Sequence, residues 1–183
     1  MTPIEDNPYA APEAQLVLPT AERGPDFAIE GPSGLGGWLV LPMLGLIFRP
    51  IIVLGQLTST FLPLFSNGTW AKVTTPSSKY YHPLWAPLLT LEIVYNILIL
   101  GFCLYVAVHF FRRSVKTPRL YILLLVVIPA FLLVDQVLAG QIPNLPKAAL
   151  DKNLGALGGS IVTALVWVPY FLNSVRVRNT FIH

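Results

Sequence analysis

Three ionisable side chains stand deep inside apolar runs: Arg49 in "LGLIFRPIIVLGQL", Glu92 in "LTLEIVYNIL" and Asp135 in "LLVDQVL". If each run is a helix that crosses a bilayer, its rise of about 1.5 Å per residue places all three in one layer of the outer half. An isolated charge at such depth costs at least about 2.5–3.5 kcal/mol, so the groups are expected to satisfy one another. The expected arrangement is an Arg49–Glu92 bond with Asp135 beside it. Asn96, one helical turn from Glu92, adds a further polar group. Pro50 follows Arg49, lacks an N–H, and should loosen the helix there so that Arg49 faces the interior. Such a cluster clasps helices in register or is a proton or ion site; a third reading is that Asp135 simply reaches the outer interface.

The remaining chemistry is sparse. There is no His-Glu-x-x-His, no Gly-x-Ser-x-Gly and no phosphate loop. His82, His109 and His183 form no set with a serine and an acid. Cys103 is the single cysteine, so no internal disulfide can form. No catalytic residues, cofactor or metal are expected, and an enzyme is not expected.

The elements that position the cluster follow from composition. Of the 183 residues, 54% are hydrophobic and only 11% charged, against roughly 25% charged in ordinary soluble domains. The mean hydropathy is +0.64. Six of the nine acids lie in the first 30 residues. The expected fold is an all-α integral membrane bundle of four transmembrane helices, at about 36–65, 84–111, 120–139 and 157–175. Residues 1–34 are expected to be a disordered proline-rich acidic tail, and residues 35–183 the transmembrane domain.

Orientation follows from lysine and arginine in the short loops. With both termini inside, the inner side holds Arg23, Arg112, Arg113, Lys116, Arg119, Arg176 and Arg178. The outer side holds Lys72, Lys79, Lys147 and Lys152. Both termini are therefore expected in the cytoplasm. Arg112, Arg113, Arg176 and Arg178 are candidates for contact with lipid headgroups or a cytoplasmic protein. The pI near 9.1 reflects these flanking residues, and no nucleic-acid partner is expected. Tyr80, Tyr81, His82 and Trp85 read as an outer interfacial belt, and Asn67-Gly68 reads as a turn. Gly155, Gly159 and Thr163, four apart, suggest a close helix contact. A Leu-Gly-Gly shared by residues 35–37 and 157–159 is too short to count as a repeat.

Three stretches carry a resemblance: "GLGGWLVLPMLGLIFRPI", "YYHPLWAPLLTLEIVYN" and "WVPYFLNSVRVRNTF". Together they resemble the bacterial membrane family catalogued as domain-of-unknown-function family 2569, over nearly everything after the tail. The resemblance implies a four-helix protein of the bacterial inner membrane and no particular chemistry. With short loops, a tail and a basic end, the sequence favours a non-catalytic accessory or scaffold protein. Its expected partners are the lipid bilayer and a membrane or cytoplasmic protein. The alternative is a small transporter or channel component that uses the Arg49, Glu92 and Asp135 cluster.

Overall fold

Every apolar run is helical in the computed structural model, which describes residues 31–143 and 145–183. No strand forms among the described residues. The expected disordered tail lies, up to residue 30, outside the described residues. A 3₁₀ turn, Gly37–Leu39, leads into α1 (Val40–Gln56). A π-helical segment, Leu57–Phe61, and α2 (Leu62–Ser66) complete the first span. After the turn at Asn67 and Gly68 comes the short α3 (Thr69–Thr74), then α4 (Trp85–Phe111), α5 (Thr117–Ala139), α6 (Lys147–Asn173) and α7 (Val175–Thr180). Gly68 makes the turn at φ +66, a conformation that favours glycine. Four helices, Gly37–Ser66, α4, α5 and α6, are long and apolar enough to cross a membrane. Side chains such as Leu98, Leu165 and Leu172 point outwards, as suits a surface that faces lipid.

Pro50 lies inside α1 without ending it. The larger departure comes one to two turns later, where the ladder widens into the π-helical segment. The Thr58 hydroxyl sits 3.0 Å from the Leu54 carbonyl and 3.1 Å from that of Gly55. Threonine side chains commonly satisfy displaced carbonyls in this way within membranes.

Two helices are longer than the sequence suggests. α5 begins at Thr117, with proline in its first turn, where the missing N–H has no helical partner to lose. α6 begins at Lys147, directly after Pro146 and ten residues before the expected start. The polar "KAALDKN" reads as loop by hydropathy, but alanine, leucine and lysine are strong helix formers. Lys152 and Asn153 therefore stand on α6 rather than in a loop. The two Leu-Gly-Gly stretches differ in setting, since Leu35-Gly36-Gly37 precedes a helix and Leu157-Gly158-Gly159 lies within one.

In space α1 packs on α4, α4 on α5 and α5 on α6, with no comparable packing of α1 on α6. The bundle therefore has a seam between its first and last spans. The expected close contact at Gly155 and Gly159 does not form. A Cβ added at either glycine meets nothing within 4 Å. Their stripe faces open space because α6 leans on α5 with a different face.

The two chain ends meet at one end of the bundle. Arg176 Nη1 donates to the Ser33 carbonyl at 3.2 Å. The Thr180 hydroxyl lies 2.6 Å from the Arg176 carbonyl and 3.3 Å from that of Gly34. Ser33 and Gly34, assigned to the tail by composition, thus belong to this cap. On the other side, the Val115 N–H donates to the His183 carbonyl at 2.7 Å and the His183 N–H to the Arg113 carbonyl at 3.2 Å. This pairing surrounds Arg113, which holds φ +53 without being glycine, a strain that surrounding structure must impose. Gly37 carries the tightest requirement, with φ +58 and its Cβ position 3.3 Å from Arg176 Cζ. Gly37→Ala is expected to lower stability by about 1–2 kcal/mol, read as a drop in the thermal unfolding midpoint. An unchanged midpoint would mean that Arg176 moves aside without loss.

Candidate functional site

Several polar residues of the apolar spans converge on one cavity of about 570 Å³ between α1, α4, α5 and α6. Arg49, Glu92, Asn96 and Asp135 all line it. At about 30 Å³ per molecule it has room for more than ten waters, so it is an aqueous-sized chamber within a hydrocarbon-facing bundle.

The pairing inside differs from the expectation. Arg49 does not bond Glu92, and among the described residues no carboxylate lies within 4.0 Å of it. Its guanidinium instead faces the Tyr95 hydroxyl, with Cys103 also within electrostatic reach. Glu92 faces Asp135. The reason is vertical. α4 has 27 residues, about 40 Å of helix, which exceeds a hydrocarbon core of about 30 Å. Glu92 therefore stands higher than a depth counted from the membrane surface suggests. Measured from the capped end at about 1.5 Å per residue, Arg49 lies about 18 Å up and Glu92 and Asp135 about 27–28 Å up. The three form two levels, not one layer.

At the upper level Asp135 is 5% exposed. Asn153 Nδ2 donates to its Oδ2 at 3.1 Å, while its Oδ1 has no hydrogen-bond partner. Lys152 lines the cavity beside Asn153 and is exposed. Asn96 does not reach the carboxylates; its Nδ2 donates to the Glu92 carbonyl at 2.8 Å. At the lower level the Tyr95 hydroxyl is buried without a hydrogen-bond partner. The Tyr95 ring stacks on Phe131 with 3.4 Å between centroids and 1° between planes, which joins α4 to α5. The wall nearest the seam comes from Gln56, Thr60 and Phe61 on the first span and from Gly159, Ser160 and Thr163 on α6. The hydroxyls of Ser160 and Thr163 are engaged with backbone carbonyls of their own helix at 2.7 Å. The π-helical segment thus delivers Thr60 and Phe61 to the chamber, a frequent use of such segments.

Sequence reasoning missed Tyr95, Lys152 and Asn153. Tyr95 was open to discovery, three residues from Glu92 and so on the same helical face. Lys152 and Asn153 carried a weaker signal, a proline followed by helix formers. The remaining candidates lie elsewhere. Arg112 and Arg113 are exposed at the capped end. Arg176 is engaged with Ser33, and Arg178 Nη2 donates to the Asn173 carbonyl at 3.3 Å. Tyr80, Tyr81, His82 and Trp85 line a separate cleft at the opposite end with Lys72 and Lys79. His82 Nδ1 accepts from the Leu84 N–H at 3.3 Å, and His109 Nδ1 bonds the Tyr105 carbonyl at 3.0 Å. Among the described residues, no three His, Cys, Asp or Glu side chains come together as metal ligands.

The sequence model of one family, described as "Protein of unknown function (DUF2569)", matches residues 32–182. No curated protein matches the chain, and no solved structure does.

Proposed function

The chain belongs to the protein family of unknown function DUF2569, and from that premise we propose that it is a non-catalytic, multi-pass protein of the bacterial inner membrane that binds a small polar solute in its intramembrane cavity, as a carrier or a subunit of one. The observation that carries this reading is the chamber itself. It combines Arg49, which has no carboxylate partner, with a buried Asp135 whose Oδ1 is unpartnered. Ionisable groups that face a cavity inside a membrane mark solute or ion pathways. A helix clasp would pair the cation with the acids, whereas here Arg49 faces a tyrosine hydroxyl and the two acids face each other.

The test is purified full-length protein in liposomes, assayed for flux of small cations, anions and zwitterions. Flux of at least one class is expected, with loss in Asp135→Asn. The accessory or scaffold role favoured by the loops is the outcome that would replace this reading. It would be marked by no flux and no binding of any class, together with a stoichiometric protein partner captured from native membranes.

The proposal places the capped end in the cytoplasm. Arg112, Arg113, Lys116, Arg119, Arg176 and Arg178 gather there, whereas Lys72, Lys79, Lys147 and Lys152 stand toward the other end. A reporter fused after His183 is expected to be active only inside the cell, and one inserted in residues 75–79 only outside. The reverse pattern would overturn the orientation.

A further inference from the structure

We infer that the occupant of the cavity is dipolar: a small molecule with an ammonium group held between Glu92 and Asp135 and an anionic group held by Arg49. This rests on the solute-binding reading above and names the chemical class of the solute. Two carboxyl groups that face each other in a membrane interior repel when both are ionised; one retained proton relieves the repulsion, and so does a positive group between them. Asn153 satisfies only one oxygen of Asp135, and Oδ1 remains as an acceptor. Lys152 lines the same chamber, but it is exposed and makes no ion pair within 4.0 Å among the described residues, so the carboxyl pair remains open to an ammonium from a ligand.

The opposite requirement arises below. Arg49 is a permanent cation that faces the Tyr95 hydroxyl and calls for an anion. An anion at this level would receive charge-assisted hydrogen bonds from the guanidinium and one from the buried Tyr95 hydroxyl, whose O–H is not donated to any protein acceptor. The carboxyl pair above and the Arg49 guanidinium below thus favour opposite charges in one chamber.

The spacing narrows the class. Tyr95 lies one helical turn below Glu92 and the backbone of Arg49 about two turns below it, so the two charges of the ligand stand about 5–10 Å apart. An α-amino acid, with its charges on adjacent atoms of one carbon, is too short. An aminoalkyl phosphate or a 4-aminoalkanoate spans the distance. The headgroup of an ethanolamine phospholipid carries the same two charges. The first span and α6 both line the chamber without packing closely on each other, and a headgroup entering between them would not need to detach from its tails.

The experiment is calorimetric binding to the full-length protein in maltoside detergent, with phosphoethanolamine, 4-aminobutyrate, glycine, ethanolamine and inorganic phosphate as probes. Phosphoethanolamine is expected to bind at least tenfold more tightly than ethanolamine, phosphate or glycine. In Arg49→Gln that advantage over ethanolamine should vanish. In Asp135→Asn the advantage over phosphate should vanish. If wild-type protein binds ethanolamine or phosphate alone as tightly as phosphoethanolamine, the dipolar inference is overturned while the solute-binding reading stands. If no probe binds and the liposome panel shows no flux, both fall together. The wild-type comparison decides the matter even if a variant fails to fold. Repeating the titration in nanodiscs with and without phosphatidylethanolamine identifies the source of the chemistry. Competition by that lipid supports the inference with a headgroup as occupant. Unchanged binding supports it with a free solute.

Discussion

Phe110→Ala is expected to destabilise the protein by about 3–5 kcal/mol, the range for truncating a buried phenylalanine. Phe110 is 0% exposed at the last turn of α4, where the helix meets the C-terminal segment. Its ring stands edge-to-face with Phe181 at 5.2 Å and 61°, and Phe181 is itself 4% exposed. The contact does more than fill space. Phe181 is two residues from His183, whose backbone pairs with Arg113 and Val115. Losing the ring pair therefore loosens the backbone bonds that hold the α4–α5 turn. The reading is unfolding by denaturing detergent in mixed micelles. Phe181→Ala should cost a similar amount, and the double variant should fall short of additivity by about 0.5–1.5 kcal/mol, the worth of an aromatic pair. A cost under about 1 kcal/mol for Phe110→Ala would show that lipid or detergent replaces the C-terminal segment without loss, and that the cap is not an anchored element.

The second large effect concerns the cavity and should leave stability untouched. Gly159→Phe places a ring into the chamber from the α6 wall. An added Cβ there meets nothing within 4 Å, so the backbone has no reason to shift, and replacing a helical glycine removes a helix-weakening residue. The ring occupies the volume between α6 and Arg49 that a solute requires. Solute binding or flux is expected to fall more than tenfold, or about 1.4 kcal/mol, with a thermal midpoint at or above that of the wild type. Gly155→Phe supplies the control. Gly155 is equally open, but it does not line the chamber, so binding should be unchanged. Equal loss in both variants would mean that the ring acts through helix α6 and not through the cavity.

Much of this molecule is legible from its residues alone. A bilayer admits only segments that satisfy their own backbone, and it demands about 20 apolar residues for each crossing. Four apolar runs in a chain with 11% charged residues therefore mean four helices, and the described residues include four of the required length. The same argument singles out Arg49, Glu92 and Asp135, because charges inside apolar runs are costly wherever the fold places them. Hydropathy, however, reports a transfer energy for each residue along a line. It carries neither the rotation of a helix about its axis nor its offset from its neighbours, which packing between helices determines. The tertiary structure alone decides that α6 begins at Lys147 and how far α4 is offset from the first span. This lifts Glu92 and Asp135 to the level of Asn153 and leaves Arg49 a turn or more below, opposite Tyr95. It alone decides that the Gly155 and Gly159 stripe faces open space rather than a neighbour. Ser33 and Gly34 likewise lock onto Arg176 and Thr180 across more than 140 residues of chain, because a bond so distant in sequence depends on where four helices return their ends.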